Sequence, residues 1–288
     1  MTSILEIKDL QQLAKSRLPK LFYDYIDSGS WTEGTYRANE SDFQKINLRQ
    51  RVAVDMTDRS LASTMINQPV SMPIALAPTG LTGMFRADGE MLAAQAAEQM
   101  GVPFTLSTMS ICSIEDVASV TRKPFWFQLY VMKDRGFMES LIERAKAANC
   151  SALILTLDLQ LLGQRHKDLK NKLSAPPGLK PLHLWQMMQR PGWCLNMLTT
   201  KRHAFRNIVG HAKGIKNTAS LFEWTAEQFD PRLSWDDVEW IKKLWGGPLI
   251  LKGILDKEDA VLASKTGADA IIISNHGGRQ LDGARSSI

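Results

Sequence analysis

Short apolar runs recur along the chain, and each is followed by polar or glycine residues and then by a stretch of helical periodicity. Runs of this length, rich in β-branched and aromatic residues, are typical of buried strands. They predict strands at Met72–Ala77, Val102–Leu106, Phe125–Val131, Ala152–Leu157, Pro248–Lys252 and Ala270–Ser274. The periodic stretches predict helices at Gly89–Met100, Asp134–Ala148, Ser234–Trp245 and Asp256–Lys265. Strands that alternate with helices in this way indicate an α/β protein with a parallel sheet.

The spacing of the predicted strands is close to that of βα units, with one exception. Their first residues lie 30, 23, 27, 96 and 22 positions apart. Two folds built from such units fit the pattern, a (β/α)8 barrel and an open doubly wound sheet. The first strand is followed by APTGLTGMFR, a weak match to the glycine pattern of a dinucleotide-binding sheet, and this weakness favours the barrel.

Polar residues follow every one of the six predicted strands. In a barrel the carboxyl ends of the strands meet at one rim, where catalytic residues lie. A strand that simply ends in a polar loop explains any one of these positions, but six in succession favour a functional site. The positions are Pro78–Thr79, Ser107–Thr108, Gln128 with Tyr130, Thr156 with Asp158, Lys252, and Ser274–Asn275–His276.

The segment IIISNHGGRQLDG carries the most specific chemistry in the chain. It brings the imidazole of His276 and the guanidinium of Arg279 to one mouth, separated by two glycines that permit a close backbone approach. A base beside a cation that binds carboxylates suits proton abstraction from an anionic substrate. Lys252, at a neighbouring strand end, would stabilise negative charge on an electron-poor ring. Taken singly, His276 as a loop residue and Lys252 as a strand-capping charge are the simpler interpretations.

The amino-acid composition is typical of a soluble globular protein. The 288 residues are 44% apolar and 23% charged, which excludes disordered, collagen-like and coiled-coil classes. No window approaches 18 uncharged apolar residues and the N-terminus lacks a signal-peptide pattern. The three cysteines are far apart and form no metal or disulfide pattern, so we expect no metal site and a cytoplasmic location.

The positive charge is concentrated in one segment. Residues 161–220 contain eleven Lys or Arg and one acid, Asp168, although the whole chain carries only +5. This segment falls in the long step between the fourth and fifth predicted strands. No recognised RNA or DNA module accompanies the charge, so we expect no nucleic-acid partner.

Several motifs together resemble the FMN-dependent α-hydroxy-acid oxidases and dehydrogenases, and within that family the bacterial L-lactate dehydrogenase branch. They are LPKLFYDYIDSG, PIALAPTG, FTLSTMSICSIEDVA, FWFQLYV, TLDLQLLGQRHKDLKN, SWDDVEWIKKLWGGPLILKGIL and SNHGGRQLD. The resemblance extends over essentially the whole chain. It implies a (β/α)8 TIM barrel, FMN as cofactor and a small L-2-hydroxy acid as substrate.

The resemblance also implies roles for individual residues. His276 is the implied base, and Asp158 holds its imidazolium. Arg279, Arg165, Tyr25 and Tyr130 contact the substrate's carboxylate and hydroxyl oxygens. The implied FMN-binding positions are Pro78, Thr79, Gly80, Ser107, Gln128, Thr156, Lys252 and Ser274, with Lys252 beside the N1–O2 edge of the flavin.

The sequence departs from the family pattern at two places. Met109 stands where the similar plant glycolate oxidases carry a tryptophan, which changes the substrate pocket and disfavours glycolate, although a methionine there is also ordinary packing. The chain ends just after the sixth predicted strand, whereas family members continue with strands seven and eight and the phosphate-binding loops. The resemblance therefore implies an incomplete barrel over residues 1–288, with an N-terminal helical cap at 1–70 and a basic insertion at 160–232.

The insertion has two interpretations that are compatible with each other. Residues 180–216 interleave Trp, Met and Leu with basic residues, as expected of a segment that meets an anionic membrane surface. The corresponding loop of membrane-associated relatives serves that purpose, which implies peripheral attachment to the inner face of the bacterial inner membrane. Pro181 and Pro191 interrupt a continuous amphipathic helix, which favours a lid over the barrel mouth instead.

Three functional hypotheses follow. The first is an FMN-dependent dehydrogenase that converts L-lactate to pyruvate and passes electrons to quinone. The second keeps this chemistry but uses oxygen as the acceptor. The third is an inactive polypeptide that lacks the FMN phosphate site. Family members are often tetramers, so a homo-oligomer is expected for a complete barrel.

Overall fold

The computed structural model describes residues 3–160, 162–171, 181–210, 228 and 230–288. In this part of the chain the helices are α1 (Ile7–Arg17), α2 (Lys20–Ile26), α3 (Gly34–Ser41), α4 (Thr82–Phe85), α5 (Gly89–Met100), α6 (Ile114–Ala118), α7 (Arg135–Ala147), α8 (His166–Lys170), α9 (Pro181–Met188), α10 (Pro191–Leu198), α11 (Trp235–Trp245) and α12 (Lys257–Lys265). The strands are β1 (Ser63–Met65), β2 (Gln68–Val70), β3 (Thr105–Ser107), β4 (Trp126–Tyr130), β5 (Ala152–Thr156), β6 (Leu249–Ile254) and β7 (Ala270–Ile273). Short 3-10 helices span Asp42–Lys45 and His276–Gly278.

Five of these strands, β3 to β7, form one parallel sheet in chain order. Side chains alternate between its faces because successive residues of a strand point to opposite sides. Phe127, Leu129, Leu153, Leu155 and Leu251 lie on the face that packs against the helices. Trp126, Ala152, Ile154 and Ile250 form a smaller cluster on the other face. Along this second face the next positions are Gln128, Thr156 and Lys252, so it changes from apolar to polar toward the carboxyl ends of the strands.

The first predicted strand, Met72–Ala77, is wrong as a strand. This segment forms a single parallel bridge, Leu76 to Phe104, in which the Leu76 N–H donates to the Pro103 carbonyl at 2.8 Å. Pro73 and Pro78 have no N–H with which to pair. The segment contacts the sheet only through β3, and Ile74 is 55% exposed. The segment still runs alongside β3, so its carboxyl end lies at the same rim as the other strand ends.

The hairpin of β1 and β2 was not predicted. Its two strands have three residues each and are joined by Ile66 and Asn67, both with positive φ. Two positive φ values are what a tight hairpin turn requires, and asparagine tolerates this conformation. The sequence lacks the usual Asn-Gly or Asp-Gly signal, and the strands are too short and exposed to give an alternating pattern.

The other predicted elements are confirmed, with ends that differ by at most three residues. Ser234 and Asp237 form the expected capping box at the start of α11, where the Ser234 N–H donates to Asp237 at 2.9 Å. Pro181 and Pro191 each begin a helix, as expected for a residue that cannot continue one. β3 starts three residues later than predicted, since Pro103 supplies no donor.

The N-terminal helices lie over the carboxyl ends of the strands. α2 packs against α4, α8 and α9, and α3 packs against the turn at His276–Gly278. The approach of that turn to α3 requires a glycine: Gly278 has a φ of +68°, and a β-carbon there would lie 2.4 Å from the backbone nitrogen of Tyr36. This part of the chain therefore closes over one end of the sheet.

Candidate active site

His276 and Asp158 face each other at the carboxyl ends of β7 and β5. Nδ1 of His276 lies 2.7 Å from Oδ1 of Asp158, and the two side chains are only 20% and 15% exposed. The His276 N–H donates to Oγ of Ser274 at 3.0 Å, which fixes the turn that presents the imidazole. His276 has a φ of +60°, a conformation that costs a non-glycine residue about 1–3 kcal/mol and is frequent at active sites. The predicted base and its carboxylate partner are thus brought together.

Lys252 lies next to this pair, on the inward face of β6. Its Nζ donates to Oγ of Ser274 at 3.1 Å and lies 4.0 Å from Oδ2 of Asp158. Burial lowers the pKa of Lys252, and the attraction of Asp158 opposes this effect only in part. Oδ2 of Asp158 is itself buried and accepts no hydrogen bond from the residues that the structure describes. The site therefore holds a desolvated cation and a carboxylate oxygen with free acceptor capacity.

Ser107, Gln128 and Thr156 form a hydrogen-bonded row across the ends of three adjacent strands. Oγ of Ser107 donates to Oε1 of Gln128 at 3.0 Å, and Nε2 of Gln128 donates to Oγ1 of Thr156 at 2.9 Å. All three side chains are buried. In the parallel register Ser107 is paired with Gln128, and Gln128 is paired with Ile154, which lies two residues before Thr156 on the same face of β5.

The loop at Pro78–Gly80 joins the loop that follows β3. The Leu81 N–H donates to the Met109 carbonyl at 3.0 Å, and the Met109 N–H donates to Oγ of Ser107 at 3.1 Å. A β-carbon at Gly80 would lie 3.2 Å from the Met109 carbonyl oxygen, so the two loops touch. Thr79 is exposed and Pro78 half-buried, and both lie at the end of the segment that runs beside β3.

Two arginines surround Tyr25. The guanidinium carbons of Arg279 and Arg165 lie 5.0 and 5.5 Å from the centre of its ring. Nη1 of Arg279 donates to the carbonyls of Tyr25 and Ser28, both at 2.8 Å. Nε of Arg165 forms an ion pair with Asp168 at 2.6 Å. Burial lowers the pKa of Arg279, as expected for a cation held in a largely dry position.

Tyr130 lies near both His276 and the group formed by Tyr25 and its two arginines. Its ring is stacked near His276, with 6.4 Å between ring centres and an angle of 26° between the planes. Burial raises the pKa of its hydroxyl, with further contributions from Tyr25 and Asp158. The phenol is therefore neutral at physiological pH and can donate a hydrogen bond.

Three residues of the site were missed by the sequence analysis. Asp168 holds Arg165, and its position three residues further along the same helical turn was a usable signal. Ser28 anchors Arg279 through its carbonyl, which no side-chain pattern could reveal. Gly253 has a φ of +108° and its backbone lies against Asp158.

Three cations in the described part of the basic insertion pair with acids of the protein body. Arg202 pairs with Asp88 and Asp116, each within 3.1 Å, and Arg206 pairs with Asp116 at 3.0 Å. Lys167 pairs with Glu33 at 3.2 Å. The expectation that these cations meet anionic headgroups is not supported for Arg202 and Arg206. Positions 161, 172–180, 211–227 and 229 of the predicted insertion, and hence parts of 180–216, lie outside the described residues.

The helices of the insertion expose apolar side chains instead. The residues concerned are Leu182, Leu184, Trp185 and Met188 of α9 and Leu195 and Leu198 of α10, with exposed fractions from 49% to 81%. We call this set the apolar face. Exposed apolar clusters mark protein or membrane contacts. In the part of the chain that the structure describes, every helix is too short or too polar to cross a bilayer.

These residues are together suited to three chemical roles. A neutral imidazole whose Nδ1 faces a carboxylate leaves Nε2 available to take a proton. Two guanidiniums beside a tyrosine can hold a carboxylate. A row of buried polar groups with a desolvated lysine can hold a flat, electron-poor ring.

Comparison with known proteins gives a consistent result. A family model described as FMN-dependent dehydrogenase matches residues 14–288. The L-lactate dehydrogenases of Vibrio parahaemolyticus (serotype O3:K6) and Acinetobacter baylyi are each 46% identical to this chain over 280 residues, which is 97% of this chain and 74% and 73% of those proteins.

Solved structures agree. The monotopic membrane protein (S)-mandelate dehydrogenase superposes with a TM-score of 0.92 at 33% identity, covering 99% of this chain and 76% of that one. A soluble mutant of the membrane-associated (S)-mandelate dehydrogenase from Pseudomonas putida gives a TM-score of 0.82 at 33% identity, covering 99% and 74%. The chain thus spans about three quarters of the length of these proteins, and the predicted barrel class is confirmed.

Proposed function

The chain belongs to the FMN-dependent dehydrogenase family and is an FMN-dependent oxidoreductase, and from this premise we propose that it oxidises a small L-2-hydroxy acid, L-lactate to pyruvate, with His276 as the base. The observation that carries the proposal is the 2.7 Å contact between His276 and Asp158 beside the two arginines that surround Tyr25. The L-lactate dehydrogenases are more similar in sequence than the mandelate dehydrogenases, which favours lactate as substrate.

The donor set fits a flavin. Ser107, Gln128 and Thr156 present a buried polar row, and Lys252 brings a desolvated cation to its end. These residues, with Ser274 and the backbone of Pro78, Thr79 and Gly80, would hold the ring and ribityl chain of FMN. Bound there, FMN supplies an acceptor for the two electrons of the hydroxy acid.

In this proposal His276 takes a proton from the hydroxy acid. Asp158 makes this possible in two ways. As a hydrogen-bond acceptor, Asp158 fixes the tautomer with the proton on Nδ1, so that Nε2 faces the substrate. After Nε2 takes the proton, the carboxylate stabilises the imidazolium across 2.7 Å. Both carboxylate and imidazole are largely buried, so water does not compete for this charge.

Arg279 and Arg165 bind the substrate carboxylate. Because Nη1 of Arg279 and Nε of Arg165 are occupied by protein acceptors, the guanidiniums are pre-organised and use their remaining N–H groups for substrate. The hydroxyls of Tyr25 and Tyr130 contact the substrate oxygens. Met109, which adjoins Gly80 and Ser107, contacts the substituent on C2 and favours a methyl group over hydrogen.

We assign a quinone as the electron acceptor. The apolar face supports this assignment, since a lipid-soluble oxidant is reached from the membrane surface. The proposed location is peripheral, on the inner face of the bacterial inner membrane. Because Arg202 and Arg206 are already paired with carboxylates, the contact is driven by apolar burial. Release of hydrogen peroxide at the rate of lactate oxidation in aerated solution would instead favour oxygen as acceptor.

Pelleting with vesicles tests the membrane contact. We expect the protein to pellet with anionic vesicles at both low and high salt, and the double variant Leu195→Ser, Leu198→Ser to remain in the supernatant. Val261→Ser, which removes an exposed valine of α12 on another surface, serves as the control. If high salt releases the wild-type protein, or if it never pellets, apolar attachment is wrong.

One experiment tests the proposed activity. The purified protein with bound FMN is mixed with L-lactate without oxygen, and we expect the visible flavin absorbance to bleach. His276→Asn is expected to bind FMN but not to bleach. A colourless protein that takes up no FMN, or a yellow protein that lactate does not bleach, contradicts the proposal and supports the inactive alternative.

A further inference from the structure

An open groove lies between α1 and the start of α10, away from the site of His276. Its volume is about 680 Å³, within the range of small-molecule sites. The groove has a floor of apolar side chains, namely Leu10, Leu13, Leu18, Ile26, Phe85 and Trp193. Two of these aromatic residues also pack against Phe22, whose ring centre lies 5.2 Å from that of Trp193 and 6.4 Å from that of Phe85.

The polar rim of the groove is positive. Arg17, Arg86 and Arg190 line it, and none of the lining residues, all of which the structure describes, is an acid. Arg190 is held in place because its Nε donates to the Leu18 carbonyl at 3.2 Å. Arg17 and Arg86 are exposed, and neither forms an ion pair with the described part of the chain.

Among the residues that the structure describes, the arginines of the rim lack the acidic partners that other basic residues of the chain have. Arg202 and Arg206, a few residues further along, are matched by Asp88 and Asp116. Uncompensated guanidiniums beside an apolar floor are complementary to a molecule with an anionic head and an apolar chain. A soluble dicarboxylate or a nucleotide would leave the apolar floor uncovered.

The groove adjoins the apolar face at the end of α9. Gln189 and Arg190 line the groove and directly follow Met188, a residue of the apolar face that is 64% exposed, whereas Leu195 and Leu198 lie on the side of α10 turned away from the groove. A lipid surface that contacts Met188 therefore lies directly beside the groove and its arginines. This adjacency favours a membrane lipid over a water-soluble anion.

We propose that the groove between α1 and α10 binds one anionic phospholipid, with an acyl chain on the floor of Leu13, Phe85 and Trp193 and the phosphate at Arg17 and Arg86. Arg190 contributes a third, fixed cation. The site is separate from a general surface contact, because it holds a single lipid by its headgroup charge. The proposal does not depend on the oxidation of a hydroxy acid.

Titration calorimetry with a monomeric lipid tests it. The FMN-bound protein is titrated with dioctanoyl phosphatidylglycerol below its micelle concentration, so that no bilayer is present. We expect one lipid per chain, and about tenfold or more weaker binding of the matched dioctanoyl phosphatidylcholine, which has the same chains but no net charge. Glycerol phosphate, the charged part alone, is also expected to bind at least tenfold more weakly.

Variants locate the site. Arg17→Gln combined with Arg86→Gln is expected to weaken phosphatidylglycerol binding about tenfold or more and to leave thermal unfolding and lactate bleaching unchanged. Arg122→Gln is the matched control, since Arg122 is an exposed arginine before β4, at the opposite end of the strands. The control should bind like wild type.

Four outcomes would overturn the proposal. They are equal binding of the two lipids, wild-type binding by the double variant, equally tight binding of glycerol phosphate, and absence of lipid binding. If a short-chain quinone binds one to one and phosphatidylglycerol does not, the groove is an acceptor site instead. Because none of these readouts requires turnover, failure of the lipid proposal is distinguishable from failure of the proposed activity.

Discussion

Gly253 lies against Asp158 so closely that no side chain fits between them. A β-carbon at position 253 would be 2.8 Å from both Cβ and Cγ of Asp158, closer than carbon atoms approach in proteins. Gly253 also has a φ of +108°, which residues with a side chain rarely adopt. Because Asp158 holds His276 at 2.7 Å, the backbone of β6 determines where the imidazole sits.

Gly253→Ala is therefore expected to affect both stability and catalysis. The backbone strain and the contact with Asp158 should lower the free energy of unfolding by about 1–3 kcal/mol or more. Displacement of the carboxylate should lower kcat by at least tenfold, measured as the rate of flavin bleaching by L-lactate.

Gly267→Ala is the control for this change. Gly267 also has a positive φ, +74°, but a β-carbon there would meet open space. We expect it to lose about 1–2 kcal/mol of stability and to keep wild-type kcat. Equal loss of kcat in the two variants would show that the contact with Asp158 does not matter.

Asp158→Asn tests whether the carboxylate orients and stabilises His276. The amide has nearly the same shape but no charge, so the imidazolium loses its partner and the tautomer is no longer fixed. We expect kcat to fall by about 10²–10⁴ with a smaller change in KM. Asp58→Asn is the control: Asp58 is exposed and lies 100 positions before Asp158, so this variant should behave like wild type. A large rise in KM with unchanged kcat would mean that Asp158 acts in substrate binding.

Arg279→Lys tests the carboxylate site. Lysine keeps the charge but loses the planar fork that donates to the carbonyls of Tyr25 and Ser28 and, as proposed, to substrate. A hydrogen bond to a charged group contributes about 1.5–3 kcal/mol, so KM for lactate should rise about 10-fold to 100-fold. Arg285→Lys is the control, since Arg285 is exposed at the surface. An unchanged KM would remove Arg279 from the substrate site.

The sequence predicted the site better than it predicted the edges of the sheet. Ser107, Gln128 and Thr156 could be placed together because parallel strands bring their carboxyl ends to one rim, whatever the exact strand bounds. Met72–Ala77 failed because its apolar composition resembles a strand, while Pro73 and Pro78 limit its pairing to one bridge.

Contacts between residues that lie far apart in the chain could not be predicted from the sequence. The anchoring of Arg279 uses backbone carbonyls 251 and 254 positions away, to which side-chain chemistry gives no clue. The pairing of Arg202 and Arg206 with Asp116 joins segments about 90 positions apart, so these two cations of a strongly basic segment have acidic partners in the fold. Net charge counted along the chain therefore overstates the number of unpaired cations in this part of the segment.

Lys252 gives a prediction that couples stability to pH. Burial lowers its pKa in the folded protein below the ordinary value of 10.5, even with Asp158 4.0 Å away. Between the folded pKa and 10.5 the unfolded chain binds more protons, so the stability due to this group rises with pH in that window and is lost as pH falls through the folded pKa. Because pH 7 lies below 10.5, the lowered pKa of Lys252 means that this lysine destabilises the FMN-free protein at pH 7.

Lys252→Met, which keeps the length of the side chain and removes its charge, should thus unfold at a higher urea concentration than wild type at pH 7. The difference should shrink as the pH approaches 10.5, because the lysine of the wild type then becomes neutral as well. Lys243→Met changes an exposed lysine of α11 and should give no pH-dependent difference. The same Lys252→Met variant, loaded with FMN, is expected to be bleached by lactate about 10²–10³-fold more slowly, since a cation aimed at developing negative charge is lost. A variant that is both less stable at pH 7 and fully active would mean that Lys252 is an ordinary structural cation rather than a charge kept in a dry site for function.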